Sequence, residues 1–249
     1  MNDNRQPVPA GEEATQRLCR RERHRRKRLD ALRYALALPR SLWYNLRWLP
    51  WRQAWRMPIL ISNRTVVENC SGRLTLETVR PHFGQVKIGF HTCQCSDYRY
   101  DRTRLNLRGR LSVAGECAVG AGCRIEVSET GTLTLGDHFN LGPCSLVVCH
   151  QSITFGSQVL TSWCCTLMDT DQHALVDEQG IRCNEDRPVI IGDSVWLGCH
   201  VVVNKGVELT SHTTVGAGSV LRGHYEEPCT VLAGNPAIVV RRGVKWDGR

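Results

Sequence analysis

The 249-residue sequence has no run of 18 or more apolar residues, so nothing in it predicts a membrane-spanning helix. Its N-terminus is charged and lacks the apolar stretch and cleavage site of a signal peptide, which predicts a cytoplasmic protein. No Cys-x-x-Cys pair occurs among the 13 cysteines. Because 13 is an odd number and disulfide scaffolds are short, we expect reduced thiols that behave mostly as small buried hydrophobic residues.

The excess of basic over acidic residues is confined to the N-terminal segment. Residues 1–60 hold 14 Lys and Arg against 5 Asp and Glu, whereas residues 61–249 hold 18 against 19. A nucleic-acid-binding domain carries its basic residues over the folded body. We therefore expect no nucleic-acid partner and look for the role of the basic segment elsewhere.

The C-terminal half repeats with a period of six. Aliphatic residues recur without a miss at Ile191, Leu197, Val203, Leu209, Val215 and Leu221. A second column of small or β-branched residues follows four positions after the first five of these, at Val195, Val201, Val207, Thr213 and Ser219. Shorter blocks of the same period occur earlier in the chain, and Cys117 and Cys123 fall in their small-residue column.

This period predicts that each six-residue unit is one short strand and turn, and that three units make one coil of about 18 residues. An antiparallel sandwich would instead alternate every two residues and turn every 8–12 residues. The sequence therefore favours an all-β fold, a parallel β-helix over residues 61–240. Residues 1–60 form a separate, partly helical segment in this interpretation, and residues 241–249 form a C-terminal tail.

Three stretches, residues 188–207, 215–220 and 233–237, resemble the hexapeptide-repeat acetyltransferases. The resemblance is strongest to those that O-acetylate sugars in capsule and surface-polysaccharide synthesis, and it covers roughly residues 60–242. It implies a left-handed β-helix, acetyl-CoA as the acyl donor and a hydroxyl of a sugar or glycan as the acceptor. It also implies a homotrimer whose active sites lie between neighbouring subunits.

The repeat is interrupted by a polar, acidic loop at residues 168–188, which contains His173. Acetyl transfer to a hydroxyl needs a group that accepts the hydroxyl proton near neutral pH, and imidazole, with an ordinary pKa of about 6.5, suits this role. The resemblance gives a loop histidine the role of general base. We expect Asp169 and Asp171 to orient the ring or stabilise its cationic form.

The resemblance also implies where the donor binds. Its pantetheine arm would lie along the last coils, against Trp196, Gly216, Ala217, Gly218 and Asn235. Candidate contacts for its phosphates are Lys205, Arg222, Arg241 and Arg242. Two alternatives stay open, since β-helix turns need small residues in any case and Lys205 could be a solvated corner.

Two sets of histidines are spaced by twelve residues: His200, His212 and His224, and His138 and His150. Twelve residues span two of the three faces of a coil, so these side chains lie on different sides of one subunit. We therefore expect no metal site and interpret these histidines as outward-facing turn residues.

The N-terminal segment combines a basic run at residues 17–28 with four of the seven tryptophans, Trp43, Trp48, Trp51 and Trp55. Pro39, Pro50 and Pro58 predict short helices and not one long helix. Basic charge beside aromatic residues is typical of a segment that lies on an anionic membrane, here through residues 17–60 at the inner face of the cell membrane. The alternative is a helical cap over the open end of the β-helix, and both interpretations stay open.

Two other functions stay open from the sequence. One is acetylation of a small molecule such as serine or an antibiotic, which would not need the N-terminal segment. The other is a non-catalytic β-helix that serves as an assembly scaffold, which would not need a histidine-bearing loop at a break in the repeat.

Overall fold

The computed structural model describes residues 10–93 and 96–248, with the side chains of the first helix described from Arg28 onward. Two helices precede the strands: α1 (Ala10–Trp48) and α2 (Trp51–Ala54). Among the described residues, no helix combines the length and the hydropathy that crossing a membrane requires.

The described residues form twenty-three strands in three sheets. The first sheet contains β1 (Ile59–Ile61), β4 (Val86–His91), β7 (Cys117–Gly120), β10 (Phe139–Leu141), β13 (Leu160–Thr161), β16 (Trp196–Leu197), β19 (Thr214–Val215), β22 (Thr230–Gly234) and β23 (Ala237–Arg242). The second contains β2 (Val66–Asn69), β5 (Arg104–Leu107), β8 (Arg124–Val127), β11 (Leu146–Cys149), β14 (Thr166–Met168), β17 (Val202–Val203) and β20 (Val220–Leu221). The third contains β3 (Arg73–Leu76), β6 (Arg110–Val113), β9 (Thr132–Leu135), β12 (Ser152–Phe155), β15 (Val189–Ile191), β18 (Glu208–Leu209) and β21 (His224–Tyr225).

From β1 to β19, each strand pairs with the third strand after it in the chain, so three strands make one coil. All pairs are parallel except β22 with β23, which form an antiparallel hairpin at the C-terminal end. The predicted fold class, an all-β left-handed parallel β-helix with a helical N-terminal segment, is confirmed. β1 begins at Ile59, two positions before the predicted domain start, and β23 continues to Arg242, two positions past the predicted end.

The two predicted columns form the core. Every residue from Ile191 to Leu221 in the aliphatic column is buried, as is every residue from Val195 to Ser219 in the small-residue column. Cys117 and Cys123 are buried too, and burial raises the pKa of each thiol to about 12. These thiols therefore act as apolar packing groups at neutral pH.

The corners of the coils carry several of the predicted turn histidines. His138, His200 and His212 are exposed corner residues in the left-handed backbone region, with φ between 56° and 61°. His224 is exposed but begins β21, and His150 is half-buried, so the turn prediction holds for three of the five histidines. Within residues 10–93 and 96–248, no cluster of His, Cys, Asp or Glu has the arrangement of a metal site.

The prediction of short helical pieces is wrong at Pro39, which lies inside the 39-residue helix α1. A proline inside a helix costs about 3 kcal/mol, because it removes one hydrogen bond and crowds the preceding turn. The packing of α1 on the first coil offsets this cost, since Ala37, Tyr44 and Trp48 are buried there. The other two prolines act as predicted, because α1 ends before Pro50 and α2 ends before Pro58.

Helix α1 covers the open end of the first sheet. The side chain of Asn45 donates to the carbonyl of Ile59 at 2.7 Å and accepts from the amide of Ile59 at 3.1 Å. Ser41 Oγ accepts from the amide of Ile61 at 2.9 Å. The described part of the N-terminal segment is therefore a cap, as one of the two interpretations predicts.

Candidate active site

The loop of residues 169–188 connects β14 in the second sheet to β15 in the third, so it leaves the β-helix at the corner between these two sheets. Its two ends are tied together where the amide of Arg187 donates to the carbonyl of Asp169 at 3.0 Å. The loop thus projects from a closed neck and does not disturb the pairing of the coils.

Asp169 is fully buried at this neck. Its carboxylate accepts three backbone hydrogen bonds of 2.7 Å, from the amides of His150, Gln151 and Ser152 in the neighbouring coil. Its two oxygens are thereby used to fix the corner. This geometry corrects the expectation that Asp169 orients His173 and assigns it a structural role, because a carboxylate directed at backbone amides does not also face the ring.

Beyond the neck, the loop is a short hairpin. The amide of Cys183 donates to the carbonyl of Leu175 at 2.9 Å, and Val176 and Arg182 form an antiparallel bridge. The Asp177 side chain accepts from the amides of Gln179 and Ile181 and so closes the turn at the tip. The hairpin has no apolar core of its own, since its large apolar residues, Leu175, Val176 and Ile181, are exposed.

His173 lies on the first arm of this hairpin and its side chain is exposed. Within the described residues, no hydrogen bond or ion pair joins its ring to another side chain of the same chain. Its backbone carbonyl accepts from Asn184 Nδ2 at 2.8 Å. The ring is therefore accessible to solvent, while the backbone that carries it is held in place.

The carboxylate of Asp171 accepts hydrogen bonds from two side chains at the base of the loop. Its Oδ2 accepts from Lys205 Nζ at 2.5 Å and from Asn184 Nδ2 at 2.8 Å. The hydrogen bond from Lys205 and then that from Asn184 lower the pKa of Asp171 from its ordinary value. This carboxylate is thus ionised at neutral pH and paired with Lys205, a pairing that the sequence did not reveal.

The same contact revises the role expected for Lys205. Its ammonium group also donates to the carbonyl of Asn184 at 2.8 Å, and its side chain is largely covered. Because its ammonium group is bound to Asp171 and Asn184, Lys205 stabilises the loop and is not free to bind a phosphate of the acetyl donor. Asn184 itself was missed, because an asparagine eleven positions from His173 in a polar loop gives no sequence signal.

The other residues expected to bind the donor lie along the first sheet and the corner after it. Trp196 is partly exposed on β16, and its Nε1 donates to Ser162 Oγ at 3.1 Å. The corner of Gly216, Ala217 and Gly218 follows β19, the strand that pairs with β16. A Cβ added at Gly218 would meet no atom within 4 Å, so this corner is open on its outer side.

The remaining expected donor contacts lie in the last coil. Asn235 is exposed in the turn between β22 and β23 and precedes a cis Pro236. Arg222 and Arg241 are exposed, whereas Arg242 donates through Nε to Glu227 Oε1 at 2.8 Å. The structure therefore brings Trp196 and the glycine corner together, but it leaves His173 at a different corner of the same chain.

A cavity of about 700 Å³ lies between the C-terminal segment 245–248 and the first sheet. Its wall includes Leu160, Trp246 and the corner residues His138, Gln158 and His212. This cavity could not be predicted from the sequence, because it depends on the path of the tail after β23.

Comparison with known proteins supports this interpretation of the fold. Residues 188–223 match the family described as bacterial transferase hexapeptide (six repeats). The matched stretch is thus similar to the hexapeptide repeats of bacterial transferases. It includes β15 to β20, which are the coils that carry Trp196, Lys205 and the glycine corner.

Relatives of this chain include an uncharacterised 24.8 kDa protein in the cps region of Klebsiella pneumoniae, 26% identical over 143 residues. That match covers 57% of this chain and 63% of the relative. The galactoside O-acetyltransferase of Escherichia coli is 36% identical over 107 residues, which are 42% of this chain and 49% of the enzyme. The chain thus matches less than two thirds of the length of either relative.

Among solved structures, the polySia-specific acetyltransferase NeuO matches with a TM-score of 0.53 and 19% identity, over 76% of this chain and 78% of that protein. This likeness concerns the fold. With the hexapeptide match and the galactoside relative, it confirms the predicted resemblance to hexapeptide-repeat acetyltransferases.

Proposed function

We propose that this protein is an O-acetyltransferase that moves an acetyl group from acetyl-CoA to a sugar hydroxyl in the synthesis of surface polysaccharide or lipid-linked glycan. The observation that carries the proposal is the exposed His173 on a loop that interrupts an otherwise regular β-helix. The names of the relatives support the chemistry, since one is a galactoside O-acetyltransferase and another is a protein in a cps region.

In the proposed reaction, His173 accepts the proton of the acceptor hydroxyl while the hydroxyl oxygen attacks the thioester carbonyl. The tetrahedral intermediate collapses by breaking the carbon–sulfur bond, and the imidazolium returns its proton to the departing CoA sulfur. The products are an acetyl ester and a free thiol. A positioned general base of this kind typically contributes 10²–10⁴-fold to the rate.

We assign the donor to the groove along Trp196 and the corner of Gly216, Ala217 and Gly218. These residues fit a pantetheine arm, because the corner is open on its outer side and leaves backbone groups accessible. Asn235 lies near the end of this groove. The proposed phosphate contacts are Arg222 and Arg241, with Arg242 available if its pairing with Glu227 opens.

We further propose a homotrimer in which each active site uses two subunits. On one chain, His173 lies at the corner between the second and third sheets, whereas the donor groove lies on the first sheet and the corner that follows it. A neighbouring subunit that brings its histidine loop to this groove would complete the site. The unpartnered ring of His173 is consistent with such a position.

We propose that the protein works at the inner face of the cell membrane, in contact with anionic lipid through residues 17–60. The buried side of α1 packs on the β-helix, but its opposite side carries apolar residues that are each at least 44% exposed: Leu29, Leu32, Leu36, Trp43 and Leu46. Their spacing of three, four and seven places them on one helix face. Trp51 and Trp55, one turn apart, add two more exposed rings.

Charge favours a lipid surface over a second copy of this chain as the partner of this apolar face. Residues 1–60 carry 14 Lys and Arg against 5 Asp and Glu, so two copies of the segment would repel each other. An anionic lipid surface attracts this charge, and tryptophan rings sit well at the boundary between lipid headgroups and chains.

The function is tested on surface glycan by mass spectrometry. A strain that lacks the protein is expected to lose an O-acetyl ester from its glycan, and expression of the wild-type chain is expected to restore it. The His173→Ala variant should not restore the ester, although it should accumulate as a folded protein. Glycan that keeps all its acetyl esters in the deletion strain would refute the proposal.

A further inference from the structure

The hairpin that carries His173 lacks an apolar core, so its orientation on the β-helix depends on polar contacts. Its neck is fixed by the buried Asp169, but the backbone at His173 lies four residues further along the chain. Leu175, Val176 and Ile181 are each at least 60% exposed, so they contribute little packing against the coils of the same chain. Within one chain, the contacts that fix the direction of the histidine are therefore mainly hydrogen bonds and ion pairs.

Asn184 makes these contacts on the second arm of the hairpin. Its Nδ2 donates to Asp171 Oδ2 and to the carbonyl of His173, both at 2.8 Å, and its Oδ1 accepts from the amide of Leu175 at 2.6 Å. The Asn184 side chain thus bonds to Asp171, His173 and Leu175, and the histidine is the middle one of the three. The backbone on both sides of His173 is fixed, and with it the direction in which the ring leaves the chain.

Lys205 connects this arrangement to the rigid body of the protein. It lies in the corner that follows β17, in the coil next to the loop. Its ammonium group contacts Asp171 Oδ2 at 2.5 Å and the carbonyl of Asn184 at 2.8 Å, so it touches both arms of the hairpin. Lys205 thus connects the hairpin to the β-helix, and Asn184 connects the two arms of the hairpin to each other.

We infer that Asn184 and Lys205 are positioning residues for the general base: together with Asp171 they form a clamp that holds His173 in the direction required for proton transfer. This inference rests on the proposed function for its catalytic part. A displacement of about 1 Å in a positioned catalytic group can cost on the order of 100-fold in rate. The clamp touches no substrate itself, and its role is to keep the base in place.

The test uses the full chain with Asn184→Ala and Lys205→Met, compared with Asn204→Ala. Asn204 is a matched control, because it precedes Lys205, bonds only to the carbonyl of Leu221 at 3.0 Å among the described contacts, and does not touch the loop. Two readouts are needed: amide hydrogen exchange across residues 171–184, and kcat and KM for acetyl-CoA with the surface glycan as acceptor.

In Asn184→Ala and in Lys205→Met, the amide hydrogens of the loop are expected to exchange at least 10-fold faster than in the wild type. The kcat of each variant should fall about 100-fold, and its KM for acetyl-CoA should change less than threefold. Lys205→Arg, which keeps the charge, should recover most of kcat. Asn204→Ala should match the wild type in both readouts.

The outcomes separate the clamp from the reaction. If the wild type transfers no acetyl group, the proposed function fails, but the exchange data still decide whether the clamp holds the loop. If exchange in Asn184→Ala and Lys205→Met stays at the wild-type rate, the clamp is refuted. Faster exchange with an unchanged kcat refutes the positioning role, and a loss of kcat that Lys205→Arg does not recover also counts against it.

Discussion

The amide side chain of Asn45 pairs with the backbone of Ile59 on both its donor and its acceptor side, as a neighbouring strand would. Strand β1 is the first strand of the first sheet, and its outer edge faces α1 instead of another coil. A helix side chain thus supplies the hydrogen bonds that the repeat cannot supply at its own end. The described N-terminal segment is part of the folded unit for this reason.

Replacing Asn45 by Ala is expected to lower the free energy of unfolding by about 1–3 kcal/mol, because two buried backbone groups of Ile59 lose their partner. Denaturant unfolding monitored by tryptophan fluorescence measures this change. Asn106→Ala, on the outer face of β5, is the control and should stay within about 0.5 kcal/mol of the wild type. Equal midpoints for the two variants would contradict the cap.

If active sites are shared between subunits, as proposed, two inactive variants should complement each other. His173→Ala removes the base, and Ala217→Trp fills the donor groove at an exposed corner, so each alone should lose at least 100-fold in activity. Co-expression should restore part of the activity, because mixed trimers contain a groove from one chain beside a base from another. Mixed trimers that stay inactive would show that each chain uses its own base.

The exposed apolar face of α1 predicts binding to anionic vesicles. Leu36→Ser together with Trp43→Ser should reduce flotation with vesicles of phosphatidylglycerol and phosphatidylcholine at least 10-fold, since both residues are more than half exposed. Leu175→Ser with Val176→Ser, on the hairpin, is the matched control and should bind as the wild type does. Binding that is unaffected by the α1 substitutions, or equal on purely zwitterionic vesicles, would remove the membrane proposal.

Thiol reactivity should follow burial. Cys117 and Cys123 have pKa values raised to about 12 by burial, so at pH 8 they are almost entirely protonated and covered. Cys183 is exposed on the hairpin and, among the cysteines that the structure describes, should react first with iodoacetamide. Peptide mapping after brief labelling checks this order, and early labelling of Cys117 or Cys123 in the native protein would mean that the core column is open.

Acid should loosen the hairpin before it unfolds the β-helix. The pKa of Asp171 is lowered in the folded state, so its ion pair with Lys205 stabilises the loop at pH values above the ordinary carboxylate pKa of about 4. This stabilisation is lost as the pH falls through the lowered pKa. Limited proteolysis between pH 3 and pH 6 should show cleavage in the loop rising at the acid end, and Asp171→Asn should be cleaved equally across this range.

The sequence predicts the β-helix well, because every coil repeats the same register and the columns from Ile191 and Val195 are repeated five or six times. The sequence predicts secondary structure poorly where tertiary packing overrides the local preference of a residue. Pro39 stays within α1 because the surrounding residues pack on the first coil, and this packing cannot be read from the helix sequence alone.

Only part of the candidate site can be predicted from the sequence. His173 is predictable as the imidazole in the break of the repeat, and that assignment stays a proposal. Which carboxylate faces inward at the loop base is not predictable, since Asp169 and Asp171 are two positions apart and chemically alike. The structure directs Asp169 to three backbone amides and Asp171 to Lys205 and Asn184.

The first sheet is closed at both of its ends, by α1 beside β1 and by the antiparallel strand β23 beside β22. A β-helix could in principle add a second copy end to end and grow into a filament, provided that all three sheets continue across the junction. Here one sheet cannot continue in either direction. The parallel repeat of this sheet therefore stops at α1 on one end and at β23 on the other, which excludes growth by end-to-end continuation of the repeat.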